Sequence, residues 1–406
     1  MNHIMKTVSL SHTKSIFFLI ALFTCFITYA QVPKTFAIDP ARLVELKKQF
    51  TQKNAAAIAM VNQLQKEAEP FLTMKPVSVM DKGITPPSGS KHDYMSQAPY
   101  FWYDSSKPNG LPYMRKDGVR NPEINKIEDH KHLDELHESV HTLSLTYYFT
   151  GEEKYAQKAG VLLRYWFLDD ATKMNPNQNY GQGIPGVTEG RGIGLIETRS
   201  LMNIADAVGL LQGSSSWTTA DDNGIQQWYK QFLNWMLTSK NGKDEHKAKN
   251  NHGTWYSAQV VDYALFTKQS TLAHELAEES KQRIDSQFTA EGKMPLELER
   301  TAALSYSTFN LMAWSKLAAL ATQAGTDLWS YQNARGAGIQ KAIDWLMPYA
   351  AGKKKWEYQQ INNYNKGELY DLLLYAHHYY HDPKYLIEAN KTNQQGKDLL
   401  FDMLMQ

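Results

Sequence analysis

Cysteine is almost missing from this chain: Cys25 is the single one in 406 residues, and it sits in an N-terminal stretch that reads as a leader. Beyond that stretch no disulfide, no thiolate nucleophile and no cysteine-bound metal need be considered. Stability must come from a large core, which this length permits. An excess of one charge is also lacking, with 43 Lys and Arg against 42 Asp and Glu. Two of the basic residues, Lys6 and Lys14, precede Gln31 and no acid does, which leaves 41 against 42, a net of about −1. No global field draws in nucleic acid or an anionic surface, so no nucleic-acid partner is expected and an anionic substrate must meet local positive charge. No run after residue 30 is apolar enough to span a bilayer, so no membrane insertion is expected. Strand signals are scarce and no βαβ rhythm is present.

The N-terminus carries its own pattern. Lys6 and Lys14 form a basic region, Ser15 to Thr28 is a short apolar run, and Thr28-Tyr29-Ala30 ends on a small residue before Gln31. This predicts a secretory signal peptide over 1–30, cut after Ala30, and a periplasmic or secreted protein. A lipoprotein cut before Cys25 is the rival reading, but Thr24 is a poor residue before such a cut. Residues 31–406 are expected to form one domain, monomeric or weakly dimeric.

Pro40 to Leu72 reads as one long helix, with Leu43, Leu46, Phe50, Ala57, Met60 and Leu64 at helical spacing. Between 73 and 128 the period disappears and Pro, Gly, Ser, Asp and Tyr dominate. Irregular stretches of this length inside a domain are usually functional. From His132 the chain is nearly all helix, over 131–149, 152–168, 190–212, 219–238, 251–267, 271–288, 301–324, 331–348, 366–380 and 383–403. Three aromatic helix exits, Tyr148-Phe149-Thr150-Gly151, Leu265-Phe266-Thr267-Lys268 and Tyr379-Tyr380-His381-Asp382-Pro383, mark repeated αα-hairpins. The fold class is therefore all-α, a solenoid or a closed α/α toroid, and the many Tyr and Trp residues favour the toroid, whose central cleft they suit as a lining for sugar stacking. Most of those aromatics are expected to fill the core.

Two short segments carry the candidate chemistry. In Lys249-Asn250-Asn251-His252-Gly253-Thr254-Trp255-Tyr256, Asn250 stands where an N-cap belongs, and His252, Trp255, Tyr256 and Gln259 share one helix face. Taken alone, that pattern describes a satisfied histidine on a packed face. The second segment runs from Pro295 to Tyr306, with Arg300 expected in the turn before a helix so that it and Tyr306 can point into one cleft. The competing readings are a weak surface pair of Arg300 with Glu297 or Glu299, and core packing of Tyr306 with Phe309. A glycine-rich stretch, Gly183 to Gly194, contains Glu189 and Arg191. No strand precedes it and it lacks the Walker lysine, which excludes a nucleotide loop. It admits two readings: Arg191, with Arg199, gripping a carboxylate, or glycines closing a tight helix packing. His137-Glu138-Ser139-Val140-His141 fits the zinc-protease pattern, but no third ligand follows at the required spacing.

Taken together, Pro99-Tyr100-Phe101-Trp102, Gly110-Leu111-Pro112-Tyr113, Gly186-Val187-Thr188-Glu189-Gly190-Arg191-Gly192, Asn250-Asn251-His252 and Pro295 to Arg300 with Ser305-Tyr306 resemble the alginate-lyase domain superfamily. Polysaccharide lyase family 38 is the nearer match and family 5 the more distant. The resemblance runs from about Lys91 to His381. It implies an incomplete α/α toroid, no cofactor, no obligatory metal, and β-elimination of a 1,4-linked polyuronate, an anionic polysaccharide. Position by position it implies Asn251, His252 and Arg300 as the groups that neutralise the carboxylate and Tyr306 as the catalytic tyrosine. Arg191, Glu189, Tyr256, Trp102, Tyr113 and Asn250 are the accompanying candidates for substrate binding. The loop at 99–124 departs from family 5.

The chemistry agrees with these residue types. A uronate C5 proton is a poor acid until its carboxylate is neutralised, and donors aimed at the developing charge supply that. A tyrosine whose pKa is lowered by Arg300 is the expected base. In mannuronate or glucuronate the proton and the leaving oxygen lie on one side of the ring, so Tyr306 can serve as both base and acid. In guluronate they are opposed, and His252 is the candidate base. Two other classes compete: a non-catalytic helical glycan-binding protein, which forms no product, and a toroidal glycoside hydrolase, which needs a carboxylate pair such as Glu189 and Glu299.

Overall fold

Two helices open the described chain where the sequence pattern predicts one. The computed structural model describes residues 32–405, so the leader expected over 1–30, with Cys25, lies outside the described residues. Helix α1 (Pro40–Thr51) starts on Asp39, whose carboxylate accepts from the Ala41 amide. It ends at Lys53, which takes a left-handed φ of 61°. Asn54 then caps α2 (Ala55–Leu72), accepting from the amides of Ala56 and Ala57. Apolar spacing continues across the break because both helices bury the same side. The cap, worth about 1 kcal/mol, interrupts them.

The aperiodic region folds into small sheets. Strand β1 (Met95–Gln97) is followed by β2 (Phe101–Trp102) and β3 (Met114–Arg115). The last two form an antiparallel ribbon that sets Phe101 opposite Arg115 and Trp102 opposite Met114. Strand β4 (Tyr180–Gly183) pairs in parallel with β1. Pairs this short carry no alternating pattern for a sequence to display.

The remaining helices are α3 (Asp129–Thr150), α4 (Glu153–Phe167), α5 (Leu201–Leu210), α6 (Thr219–Thr238), α7 (Lys240–His246), α8 (Asn251–Phe266), α9 (Ser270–Glu279), α10 (Lys281–Gln287), α11 (Pro295–Leu298), α12 (Ala303–Gln323), α13 (Ile339–Ala350), α14 (Lys366–Tyr380), α15 (Pro383–Ala389) and α16 (Leu399–Leu404). They form an incomplete α/α toroid. Helices α3, α5, α8, α12 and α14 pack one on the next as an inner layer, each backed by an outer helix. Helix α8 is buried nearly all round, from Trp255 through Phe266, as an inner helix must be.

Several expected boundaries shift. Residues 192–200 form a 3-10 helix ahead of α5 rather than a continuous α-helix over 190–212. The 271–288 helix breaks at Ser280 into α9 and α10, the 331–348 helix begins only at Ile339, and 383–403 divides into α15 and α16. The glycine-rich stretch is packing: a side chain at Gly190 would meet the Asn179 carbonyl oxygen at 2.0 Å, and one at Gly194 would meet Gly181 backbone at 2.6 Å. In α3, Glu138 is exposed, and among the described residues no group of three His, Cys, Asp or Glu could hold a metal ion.

Candidate active site

Asn251 is the first residue of α8 and His252 the second. The chain enters from α7 by a turn that only glycine closes, since a side chain at Gly253 would meet the Ala248 carbonyl oxygen at 2.0 Å. Asn250 occupies the cap position, but its side chain makes no capping bond. Its carbonyl works instead, accepting from the Gly253 amide at 3.0 Å and from Gln287 Nε2 at 3.2 Å. Helix α7 brings Glu245, 1% exposed, under the imidazole. His252 Nδ1 lies 2.8 Å from Glu245 Oε1. Nδ1 donates to that carboxylate, and Nε2 is the ring nitrogen left to meet a ligand.

Asn251 is held by a second acid. Its backbone amide donates to Glu297 Oε1 at 2.6 Å, and its Nδ2 lies 3.1 and 2.9 Å from the two Glu297 oxygens. Glu297 comes from the single turn of α11 and is 1% exposed. Burial pushes its carboxyl up, outweighing the Asn251 hydrogen bonds and the charges of Arg300 and His252, which pull it down. Glu297 thus stands between the two segments, bonded to one and feeling the charge of both.

Arg300 lies in the turn between α11 and α12, as its spacing from Tyr306 requires. Its guanidinium carbon sits 3.6 Å from the centre of the Tyr306 ring. Neither Glu297 nor Glu299 pairs with it. The partner is Asp117, beyond β3, which accepts from Nη2 at 2.8 Å and from Nε at 3.1 Å. Thr301 Oγ1 also donates to Asp117 at 3.1 Å, and Arg115 Nη2 at 2.7 Å. Burial opposes ionisation of Asp117, but Arg300 overrides it and holds the carboxyl well below the usual range.

The Tyr306 hydroxyl donates to Tyr100 Oη at 3.0 Å. The β2–β3 ribbon and its flanks therefore touch both residues of the second segment, Tyr100 at the phenol and Asp117 at the guanidinium. The Tyr306 pKa is not lowered as expected. Burial first, then the bond to Tyr100, push it up, and Asp117 works against the lowering by Arg300. Phe309 packs on Trp255 with ring centres 5.2 Å apart, so Tyr306 is not its core partner.

The other expected binding residues separate. Arg191 begins the 3-10 helix, where its Nη2 donates to Gln182 Oε1 at 2.9 Å and its guanidinium lies 5.1 Å from the Phe101 ring centre. It feels the charge of Glu245, and so borders the His252 side of the cluster. Arg199 donates to the Ile196 carbonyl and lies against Trp255 and Phe309. Trp102 is on the ribbon, its indole N–H donating to the Val119 carbonyl at 2.9 Å, and Tyr113 donates to Glu123 at 2.8 Å. Glu189 is exposed in the turn after β4. Tyr256 is a correction. It is 2% exposed, stacks on His246 and donates to the Met236 carbonyl, because its helix face turns outward onto α6 and α7. Sequence reasoning gave no role to Asp117, Glu245 or Gln182, named Tyr100 only within a motif, and read Glu297 only as a surface partner of Arg300. A groove of about 680 Å³ beside Thr322, Asp327, Trp329 and Tyr380 contains none of these groups.

An open helical toroid with a phenol, a guanidinium, an amide and an imidazole gathered beside a loop ribbon defines a class, the helical-toroid polysaccharide lyases. Residues 78–356 match the family model described as alginate lyase, and the chain belongs to that family. A search of curated proteins found no match. Among solved structures, an alginate lyase from Bacteroides ovatus is 38% identical, covering 92% of this chain and all of its own, with a TM-score of 0.88. Alginate lyase A1-III, as a histidine-to-alanine variant with a tetrasaccharide, is 16% identical over 87% of this chain and 89% of that one, with a TM-score of 0.57. The enzyme of that name from Sphingomonas species A1 is 15% identical over 80% and 88%, with a TM-score of 0.52. These two share the fold. The family makes the protein a polysaccharide lyase, which sets aside the glycan-binding and glycoside hydrolase alternatives.

Proposed function

We propose that this lyase cleaves 1,4-linked polyuronate by β-elimination, acting on poly-mannuronate stretches of alginate or on glucuronan. The observation that carries the reading is the Arg300 guanidinium stacked 3.6 Å over the Tyr306 ring, with the phenol hydroxyl on a single hydrogen bond to Tyr100. Tyr306 takes the C5 proton and returns it to the departing C4 oxygen, both on one face of a mannuronate or glucuronate ring. Asn251 and Arg300 neutralise the carboxylate as charge moves onto it, together with His252 once its imidazole carries a proton on Nε2 as well as on the Nδ1 that donates to Glu245. Arg191 and Trp102 border the subsites next to the scissile bond, and neutralisation falls to side chains rather than to a metal. An N-terminal signal delivers the enzyme to the periplasm or the exterior, where its anionic polysaccharide is met.

The test is incubation with poly-mannuronate, glucuronan and poly-guluronate, following the ultraviolet absorbance of a C4–C5 double bond. Absorbance rising fastest on the first two is expected. Folded protein that yields no unsaturated product on any of the three would overturn the reading.

A further inference from the structure

The hydrogen bonds around Asn251 conflict with the role proposed for it, on which this inference rests. A group that neutralises a carboxylate must present N–H to it. Here the Asn251 Nδ2 faces both oxygens of Glu297, while Oδ1 is buried with no partner. An amide oxygen without water or donor is costly, about 1–3 kcal/mol, and an oxygen facing the substrate carboxylate would repel it. A half-turn about the Asn251 Cβ–Cγ bond exchanges the two ends of the amide. That places Oδ1 against Glu297, which is tolerable only if Glu297 carries a proton.

We propose that Glu297 acts as a neutral acid in the substrate complex, donating to Asn251 Oδ1 and so turning the Asn251 amide to offer its NH2 to the uronate carboxylate. Glu297 Oε1 keeps the backbone amide of Asn251, the protonated Oε2 donates to the side-chain oxygen, and every polar atom of the pair is then satisfied. The orientation described above suits an ionised Glu297. Binding brings a second carboxylate beside it, so one proton is taken from solvent as the substrate anion enters. The charged groups facing Glu297 are Arg300 on its own turn and His252 across from it. Burial already favours the protonated form. Glu297 is thus a positioning residue, acting through Asn251.

Two measurements test this. In a Tyr306→Phe background, calorimetric titration of a mannuronate oligosaccharide in buffers of different ionisation enthalpy should show uptake approaching one proton per ligand within a pH series that runs from the ordinary glutamate range up to the alkaline limit of folding. Adding Glu297→Gln should abolish that uptake without weakening binding. In the otherwise unaltered enzyme, Glu297→Gln, whose amide can donate to Asn251 Oδ1 and accept from its backbone, should hold kcat/KM within about threefold. Glu297→Ala should lose about 10²-fold, the cost of a charge-assisted hydrogen bond. Binding with no proton uptake across that range, uptake that persists in the glutamine variant, or Glu297→Gln as damaged as Glu297→Ala would each overturn the proposal. Melting temperatures identify a variant that fails to fold, in which case the proton count of the Tyr306→Phe protein decides. Absence of lyase activity in the unaltered enzyme would instead remove the functional reading beneath it.

Discussion

Replacing Asp117 with Asn tests the electrostatics of the second segment with little change of shape. The carboxylate accepts from Arg300 at 2.8 and 3.1 Å, from Thr301 Oγ1 at 3.1 Å and from Arg115 at 2.7 Å. Asparagine keeps one acceptor and the volume but loses the charge. Arg300 then lies over the Tyr306 ring as an uncompensated cation, and the phenol ionises more readily. A charge a few ångströms from a titrating group moves its pKa by one to three units, and with Arg300 interposed a shift of about one unit is expected, about 1.4 kcal/mol. Asp117 raises the Tyr306 pKa, so removing it lowers that pKa. If the phenolate is the base, the acidic limb of the pH–kcat profile moves down by about one unit. Below that limb the variant is up to tenfold faster than the parent. KM falls at the same time, because Arg300 without the Asp117 charge attracts the uronate more strongly. The assay is initial-rate absorbance on poly-mannuronate across the pH range. A limb that stays in place, or moves to higher pH, refutes the reasoning.

If Tyr306 moves the proton as proposed, Tyr306→Phe should lower kcat by about 10²- to 10⁴-fold with melting unchanged, read from product absorbance and thermal denaturation. Glu245→Gln removes the negative charge that supports a His252 imidazole protonated on both nitrogens. A loss of about 10- to 100-fold in kcat/KM is expected, and an unchanged value would show that the imidazole needs no carboxylate behind it. Dialysis against a chelator should leave the rate on poly-mannuronate unaltered. In the core, Asp262 has both oxygens buried and unpartnered, and burial followed by the charge of Asp206 pushes its carboxyl well above the usual range, while burial raises Asp206 to about 7. A folded-state pKa raised above the unfolded one means the native protein holds protons that the unfolded chain releases, so stability falls as pH rises from about 4 until both groups have ionised. Melting followed from about pH 5 to about pH 9 should fall more steeply in the parent than in Asp262→Asn, and parallel curves would refute it.

The toroid was legible because inner helices write themselves in hairpins of apolar residues with aromatic exits. Helix α8, with Trp255, Val260, Val261, Tyr263 and Phe266 on its buried faces, is the clearest case. The Asn251-His252 and Arg300-Tyr306 segments could be found for a related reason: polar groups that interrupt a buried helix start are few, and their residue types fit one reaction. What could not be read was the layer of acids behind them. Glu297 looked like a surface partner for Arg300, yet it is buried under Asn251. Asp117 lies 183 positions before Arg300 in an aperiodic loop, and no local spacing relates the two. Glu245 sits on a seven-residue helix too short to show a period.

That hidden layer follows one rule. The arginine, histidine and asparagine expected to meet the substrate are each held by a carboxylate: Asp117 on Arg300, Glu245 on His252 and Glu297 on Asn251. An enzyme for a polyanion might be expected to clear its cleft of acids. Unpaired cations beside a low-dielectric cleft would bind substrate and product alike, which lowers KM without helping the chemical step. Carboxylates that share those donors reduce the ground-state attraction and fix the direction of each N–H. The donors then matter most when charge from the broken C5–H bond reaches the uronate carboxyl oxygens, which is the moment at which preorganised dipoles accelerate the reaction. On this reasoning, neutralising Asp117, the carboxylate on the arginine, should tighten binding of the unsaturated product more than it improves turnover, and a product-inhibition constant that does not fall in Asp117→Asn would count against it.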